Sequence, residues 1–159
     1  MKKIIKRIGI LLIIAFVGIQ FIPTKRNVSN EVYKADFMKV YKVPSEISEK
    51  LKVSCYDCHS NNTEYPWYSR IQPATWYLEG HVNEGKEELN FNEFGNYSAR
   101  KQRSKLSSMI RELKSDMMPL SSYLIIHKDA IFDKNEKKKM VTFFENLKLQ
   151  IEAEDDRDN

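Results

Sequence analysis

The only two cysteines of the 159-residue chain are Cys55 and Cys58, and His59 follows directly, giving the run Cys55-Tyr56-Asp57-Cys58-His59. Two residues between thiols on a helical turn set the sulfurs at the separation of the two vinyl groups of a haem. The next residue then brings an imidazole beneath the iron. The spacing predicts one covalently attached haem (haem c), with thioether bonds at Cys55 and Cys58 and His59 as the proximal iron ligand. A domain built around so large an apolar plate must wrap it, so the motif constrains the fold as well as the chemistry.

Three other uses of the same residues compete with this one. A redox-active dithiol needs a βαβ setting, which the helical pattern of this chain does not offer. Zinc held by Cys55, Cys58 and two of His59, His81 and His127 requires tetrahedral chelation, for which a His adjacent to the second Cys is awkward. A disulfide between Cys55 and Cys58 closes too small a loop to stabilise the fold much.

For the opposite face of the iron the sequence offers Met118. It lies 59 residues beyond His59 and just before Pro119, which biases it toward extended backbone in a loop between helices. Thioether ligation favours reduced iron. Met117 is its neighbour and competitor, and His81 and His127 are the bis-His alternatives. Tyr65, Trp67, Tyr68 and Trp76 cluster after the motif. Of these, Trp67, Tyr68 and Trp76 are expected as haem-pocket aromatics, with Arg70 placed to pair with a propionate. Arg100, Lys101, Arg103 and Lys105 read as a solvated helix face, or as a docking patch for an acidic redox partner.

Charge is unevenly distributed. The formal net charge is +4, but the first 26 residues hold six basic side chains (Lys2, Lys3, Lys6, Arg7, Lys25 and Arg26) and no acid. Without them, 20 basic residues stand against 22 acidic ones, a balance of −2. Phosphate neutralisation needs a basic surface, so nucleic acid is set aside as a partner. Between the basic clusters runs an apolar stretch, Ile8 to Ile22. It is followed by Pro23-Thr24-Lys25-Arg26, with no small-residue cleavage site. Residues 1–24 are therefore expected to be an uncleaved membrane anchor helix with its N-terminus cytoplasmic and the remaining chain periplasmic or otherwise extracytoplasmic; a cleaved signal peptide is the alternative.

Beyond the anchor, residues 25–43 read as a polar linker. A helix is expected from Ser45, as its N-cap, to about Cys58, with others over 74–89 and 98–114. Leu106, Met109, Ile110 and Leu113 share one face of the third. The last helix opens on Asp133 with Glu136 three residues on, a capping box, and carries Met140, Phe143, Phe144 and Leu147. Residues 44–150 are the expected domain, and 151–159 a charged, frayed tail. With no sustained period-two alternation, the fold class is all-α, a cytochrome c-like helical domain.

The chain resembles a bacterial family of small membrane-anchored haem-binding-domain proteins, a branch of the c-type cytochromes. The likeness covers roughly residues 10–148. It rests on the IQFIP end of the anchor and on SCYDCHSNNTEYPWYSRIQPATW (54–76), HVNEGKEELNF (81–91) and MPLSSYLIIHKDAIF (118–132). The resemblance implies a helical domain with covalent haem at Cys55 and Cys58, ligated by His59 and, as the distal Met, Met118; it implies no particular reaction. A membrane-tethered one-electron carrier serving redox proteins is the expectation. A peroxidase-like enzyme using His81 or His127, or a haem sensor or assembly subunit, is the alternative.

Overall fold

In the computed structural model, which describes residues 1–158, eight α-helices follow in order. They are α1 (Lys2–Ile19), α2 (Phe37–Val40), α3 (Ser45–Leu51), α4 (Asp57–His59), α5 (Ala74–Glu88), α6 (Ala99–Lys114), α7 (Ser121–Leu124) and α8 (Lys134–Asp158). A π-helical turn, Lys52–Tyr56, joins α3 to α4, and 3-10 turns occupy Trp67–Arg70, Phe91–Asn96 and Lys128–Ala130. No strand occurs among the described residues, so the fold is all-α.

Local chemistry explains where most of these helices begin. Asp133 Oδ1 accepts from the backbone N–H groups of Asn135 (2.7 Å) and Glu136 (2.8 Å), while Glu136 accepts from the Asp133 N–H (2.8 Å). This is the expected capping box. Ser98 Oγ caps α6 by accepting from Lys101 N–H. At α3 the cap position belongs to Pro44 and Ser45 is the first helical residue, with no side-chain cap. Proline's fixed φ suits the entry, and the Ser45 carbonyl instead accepts from Ser48 Oγ.

The core forms where α6 and α8 pack together and the 91–96 turn closes over them. Leu106 and Leu113 of α6 meet Met140, Phe144, Leu147 and Ile151 of α8, all buried. Ile151 continues that apolar stripe one turn past Leu147. The helix therefore runs on to Asp158 instead of fraying after residue 150, and Arg103 pairs with Asp155 (2.7 Å).

Residues 25–43 are likewise no free linker. Phe37 is wholly buried and meets Phe91, Phe94, Phe143 and Phe144 edge-on, at centroid distances of 5.0–6.4 Å. Buried Asp36 caps α2 through Met38 N–H (2.9 Å) and accepts from Asn92 Nδ2 (2.7 Å) and Tyr56 OH (3.3 Å). A buried carboxylate is tolerated because its acceptors are all occupied. The segment turns apolar toward its end and wraps the domain there, with Tyr41 packing beside Phe37 and Phe94.

The N-terminal helix departs from expectation. No described helix is long and apolar enough to cross a membrane. Helix α1 ends at Ile19 and takes in Lys2, Lys3, Lys6 and Arg7, so its uncharged part is shorter than the roughly 20 residues a span requires. No residue of α1 is buried, and its apolar side chains are exposed around its whole circumference.

Replacing Phe37 with Ala should destabilise the protein by about 3–5 kcal/mol, the usual cost of emptying a core aromatic site. Val32→Ala, at an exposed position of the same segment, should change stability by less than about 0.5 kcal/mol. Urea unfolding of both variants measures the contrast.

A candidate haem site

The Cys-x-x-Cys-His run lies where the chain changes from π-helical to α-helical geometry, and Ser60, extended at φ −138°, stops it. The two intervening residues secure this segment from outside. Tyr56 stacks on Phe91 (4.8 Å, 5°) and donates to Asp36. Asp57 accepts from Tyr123 OH (2.8 Å) and from Glu64 N–H (3.1 Å). Phenol and carboxylate thus take partners away from the sulfurs, leaving Cys55, Cys58 and His59 on one wall of a cavity of about 490 Å³. That volume is within the range of sites for sizeable organic ligands.

Helix α5 holds His59. The imidazole Nδ1 lies 2.7 Å from the Gly85 carbonyl and 3.1 Å from the Leu89 carbonyl. Carbonyls only accept, so Nδ1 carries the proton and Nε2 keeps its lone pair. Leu89 is the C-cap of α5, and its carbonyl would otherwise lack an intrahelical partner. Such a bond from the non-ligating nitrogen is what orients a metal-ligating imidazole and makes it more basic.

The approach depends on Gly85. A Cβ built there would stand 2.7 Å from the Cys58 carbonyl oxygen and 3.2 Å from Cys58 Cβ, so only glycine lets α5 lie against the Cys58–His59 turn. Sequence reasoning missed this residue, although a glycine inside a helix, at a cost of about 1 kcal/mol against Ala, was the available signal.

Burial sets the protonation of the motif. It pushes the Cys55 thiol up to about 12, with Cys58 as a second, coulombic cause. It pushes Cys58 up to about 11, aided by Asp57. It also lowers His59, against the opposing pull of the Leu89 and Gly85 carbonyls. The thiols are free and held protonated, the reverse of the depressed thiol of a disulfide oxidoreductase.

The opposite wall comes from α6, α8 and the loop between α6 and α7. Met109, Leu113, Met140 and Phe144 give it an apolar lining, and Met118 stands at its edge. Helix α6 ends in a Schellman turn: Met117 N–H bonds to the Glu112 carbonyl (3.1 Å), Asp116 N–H to the Leu113 carbonyl (3.4 Å), and Asp116 takes φ 57°. This turn separates two adjacent methionines. Met118 lines the cavity, whereas Met117 points away and is 61% exposed.

The histidines part company. His81 lines the cavity from α5, one turn before Gly85, with its ring edge-on to Tyr77 (4.4 Å). His127 stacks on Tyr123 (4.0 Å, 4°) and faces a separate polar hollow on the far side of the motif. Among the described residues no three His, Cys, Asp or Glu side chains are grouped to hold a metal ion, so the zinc arrangement does not assemble.

The expected pocket aromatics are elsewhere too. Trp67, Tyr68, Arg70 and Trp76 do not line the cavity. Trp67 is 78% exposed and Trp76 39%, while Tyr68 approaches His127 (3.4 Å). Proximity in sequence misled, because the chain leaves the motif on the side away from the cavity. The basic group is largely spoken for: Lys101 sits over Tyr97, Arg103 on Asp155 and Lys105 near Glu88.

A hollow with an apolar lining, one imidazole with its Nε2 lone pair available, two thiols on the same wall and a thioether at the edge suit a haem. Residues 14–146 match the haem-binding domain family. The chain belongs to that family. No curated protein and no solved structure matches the chain. Family membership makes this a haem-binding domain, and the cavity is the place in the fold whose residues fit that group.

Gly85→Ala should destabilise the protein by about 1–3 kcal/mol, because α5 must retreat from the Cys58 carbonyl. Gly80→Ala, on the same helix with open space around it, should instead stabilise it by up to about 1 kcal/mol. Thermal unfolding reads both signs, and haem content should fall only in the first variant.

Proposed function

We propose that this protein is a one-haem electron carrier of c type. Its haem is bound by thioether bonds from Cys55 and Cys58, with His59 Nε2 below the iron and the Met118 sulfur above. The observation that carries the reading is the hold of the Gly85 and Leu89 carbonyls on His59 Nδ1, which leaves the Nε2 lone pair free for a metal. The haem supplies one-electron exchange between ferrous and ferric iron. The chain's part is to fix the ligands, keep water from the macrocycle and hold both oxidation states in one geometry.

Support for carriage over catalysis comes from what faces the cavity. A peroxidase-like enzyme needs an open sixth position and a distal acid-base group. His127 lines a separate hollow, whereas His81 and Met118 both line the cavity; we assign the sixth position to Met118, whose thioether closes it to peroxide. Support for placement comes from α1. Beyond Arg7 the side chains of α1 are apolar and uncovered by the domain, which favours lipid; attachment to the extracytoplasmic face of a membrane, with redox proteins as partners, is part of the same proposal.

Purified holoprotein should keep its haem on the polypeptide after acid denaturation, and the Cys55→Ala, Cys58→Ala double variant should release it. The reduced wild type should be low-spin and inert to carbon monoxide. Met118→Ala should lose the methionine–iron charge-transfer band and bind carbon monoxide. Haem released from the denatured wild type, or rapid peroxide turnover, would overturn the assignment.

A further inference from the structure

The aromatic loop after the motif is left without a role at the haem, and its exposure calls for one. Trp67 is 78% exposed, Ile71 40% and Trp76 39%, next to Phe21 at 83% and Ile22 at 49%. Large apolar side chains that expose contiguous surface mark an interaction site.

These residues form one face because the chain leaving α1 is fastened to the loop. The Gln20 side-chain amide makes a reciprocal pair with the backbone of Gln72: its Oε1 accepts from Gln72 N–H (2.9 Å), and its Nε2 donates to the Gln72 carbonyl (3.3 Å). Six residues on, Arg26 Nη2 donates to Ser69 Oγ (2.7 Å). Asn27 N–H then donates to Tyr65 OH (2.6 Å), and Asn27 Nδ2 to the Ser60 carbonyl (2.9 Å). Phe21 and Ile22 therefore run beside Trp67–Gln72, and the face continues directly from the end of the apolar helix. Lys25 and Arg70 are exposed at the same place.

We infer that this face rests on a lipid bilayer. Tryptophan and basic side chains are enriched at the headgroup level, the indole straddling the boundary between acyl chains and water. Lys25 and Arg70 suit anionic headgroups. The inference rests on the membrane attachment of α1 and deepens it. The domain is not swung on a free tether but lies against the membrane in one orientation, with α1 and the loop entering the same interface. That orientation sets which edge of the haem domain faces soluble partners.

Trp67 and Trp76 are the only tryptophans in the chain, so indole emission reports on this face alone. The full-length holoprotein is reconstituted in vesicles of phosphatidylcholine and phosphatidylglycerol, with and without bromine on the acyl chains near the headgroup. The Trp67→Phe and Trp76→Phe variants separate the two rings. Haem quenches equally in paired samples, so the ratio is the readout. Brominated lipid should cut the emission of each remaining tryptophan by roughly half, and aqueous iodide should lose most of its access to them. Emission unchanged by brominated lipid and still open to iodide, in protein that floats with the vesicles, overturns the proposal and leaves α1 attachment standing. Protein that does not float with vesicles overturns both.

Discussion

The close approach of α5 to the Cys58–His59 turn is the contact on which the site depends. With no side chain at Gly85, the helix backbone comes within van der Waals reach of the Cys58 carbonyl. Two carbonyls, one from within α5 and one from its C-cap, can then share the imidazole proton. Ring direction, tautomer and the position of both sulfurs follow from that contact. The same approach seals one wall of the cavity, so haem recognition and the packing of α4 on α5 are a single arrangement. A glycine that weakens the helix by about 1 kcal/mol sits where a larger residue would displace the Cys58–His59 turn.

Much of this was legible beforehand. The α6 stripe and the Asp133–Glu136 box are local signals, and each lies in the structure as its spacing implied; the Cys-x-x-Cys-His run sets both thiols and the imidazole on one cavity wall. Local signals also separated Met118 from Met117, because Pro119 marks the loop and the Schellman turn is a short-range device. What escaped was long-range. Phe37 reads as one aromatic in a polar segment until it meets rings from residues 91–144. Ile151 reads as the start of an acidic tail until α8 lies along α6. The error over Trp67, Tyr68, Arg70 and Trp76 has the same origin, since adjacency to a motif does not say on which side of the helix the chain departs. Gly85 was legible in principle: an unforced glycine in a helix asks what its missing Cβ makes room for.

Polar groups around the motif divide into two sets. Asp36 holds Tyr56 and Asn92 on one flank and Asp57 holds Tyr123 on the other; burial raises both phenols well above their ordinary range, and Asp36 and Asp57 add to the rise. The cavity side carries the two thiols, the imidazole and a largely apolar wall of Leu51, Leu89, Met109, Leu113, Met140 and Phe144, with Glu84, Glu88, Lys105 and Arg111 also among its lining. A low-dielectric interior makes such pairing useful, because these polar groups are satisfied among themselves and leave the thiols and the His59 Nε2 unengaged.

The ring contacts of Phe37 with Phe143 and Phe144 join parts of the chain more than 100 residues apart. Met140 and Phe144, on the last helix, also line the cavity. A chain lacking residues 134–158 would keep the complete Cys-x-x-Cys-His segment but neither a finished core nor this wall of the cavity. Loss of the C-terminal helix and loss of this wall of the cavity are thus one event, remote as that end of the chain is from the cysteines in sequence.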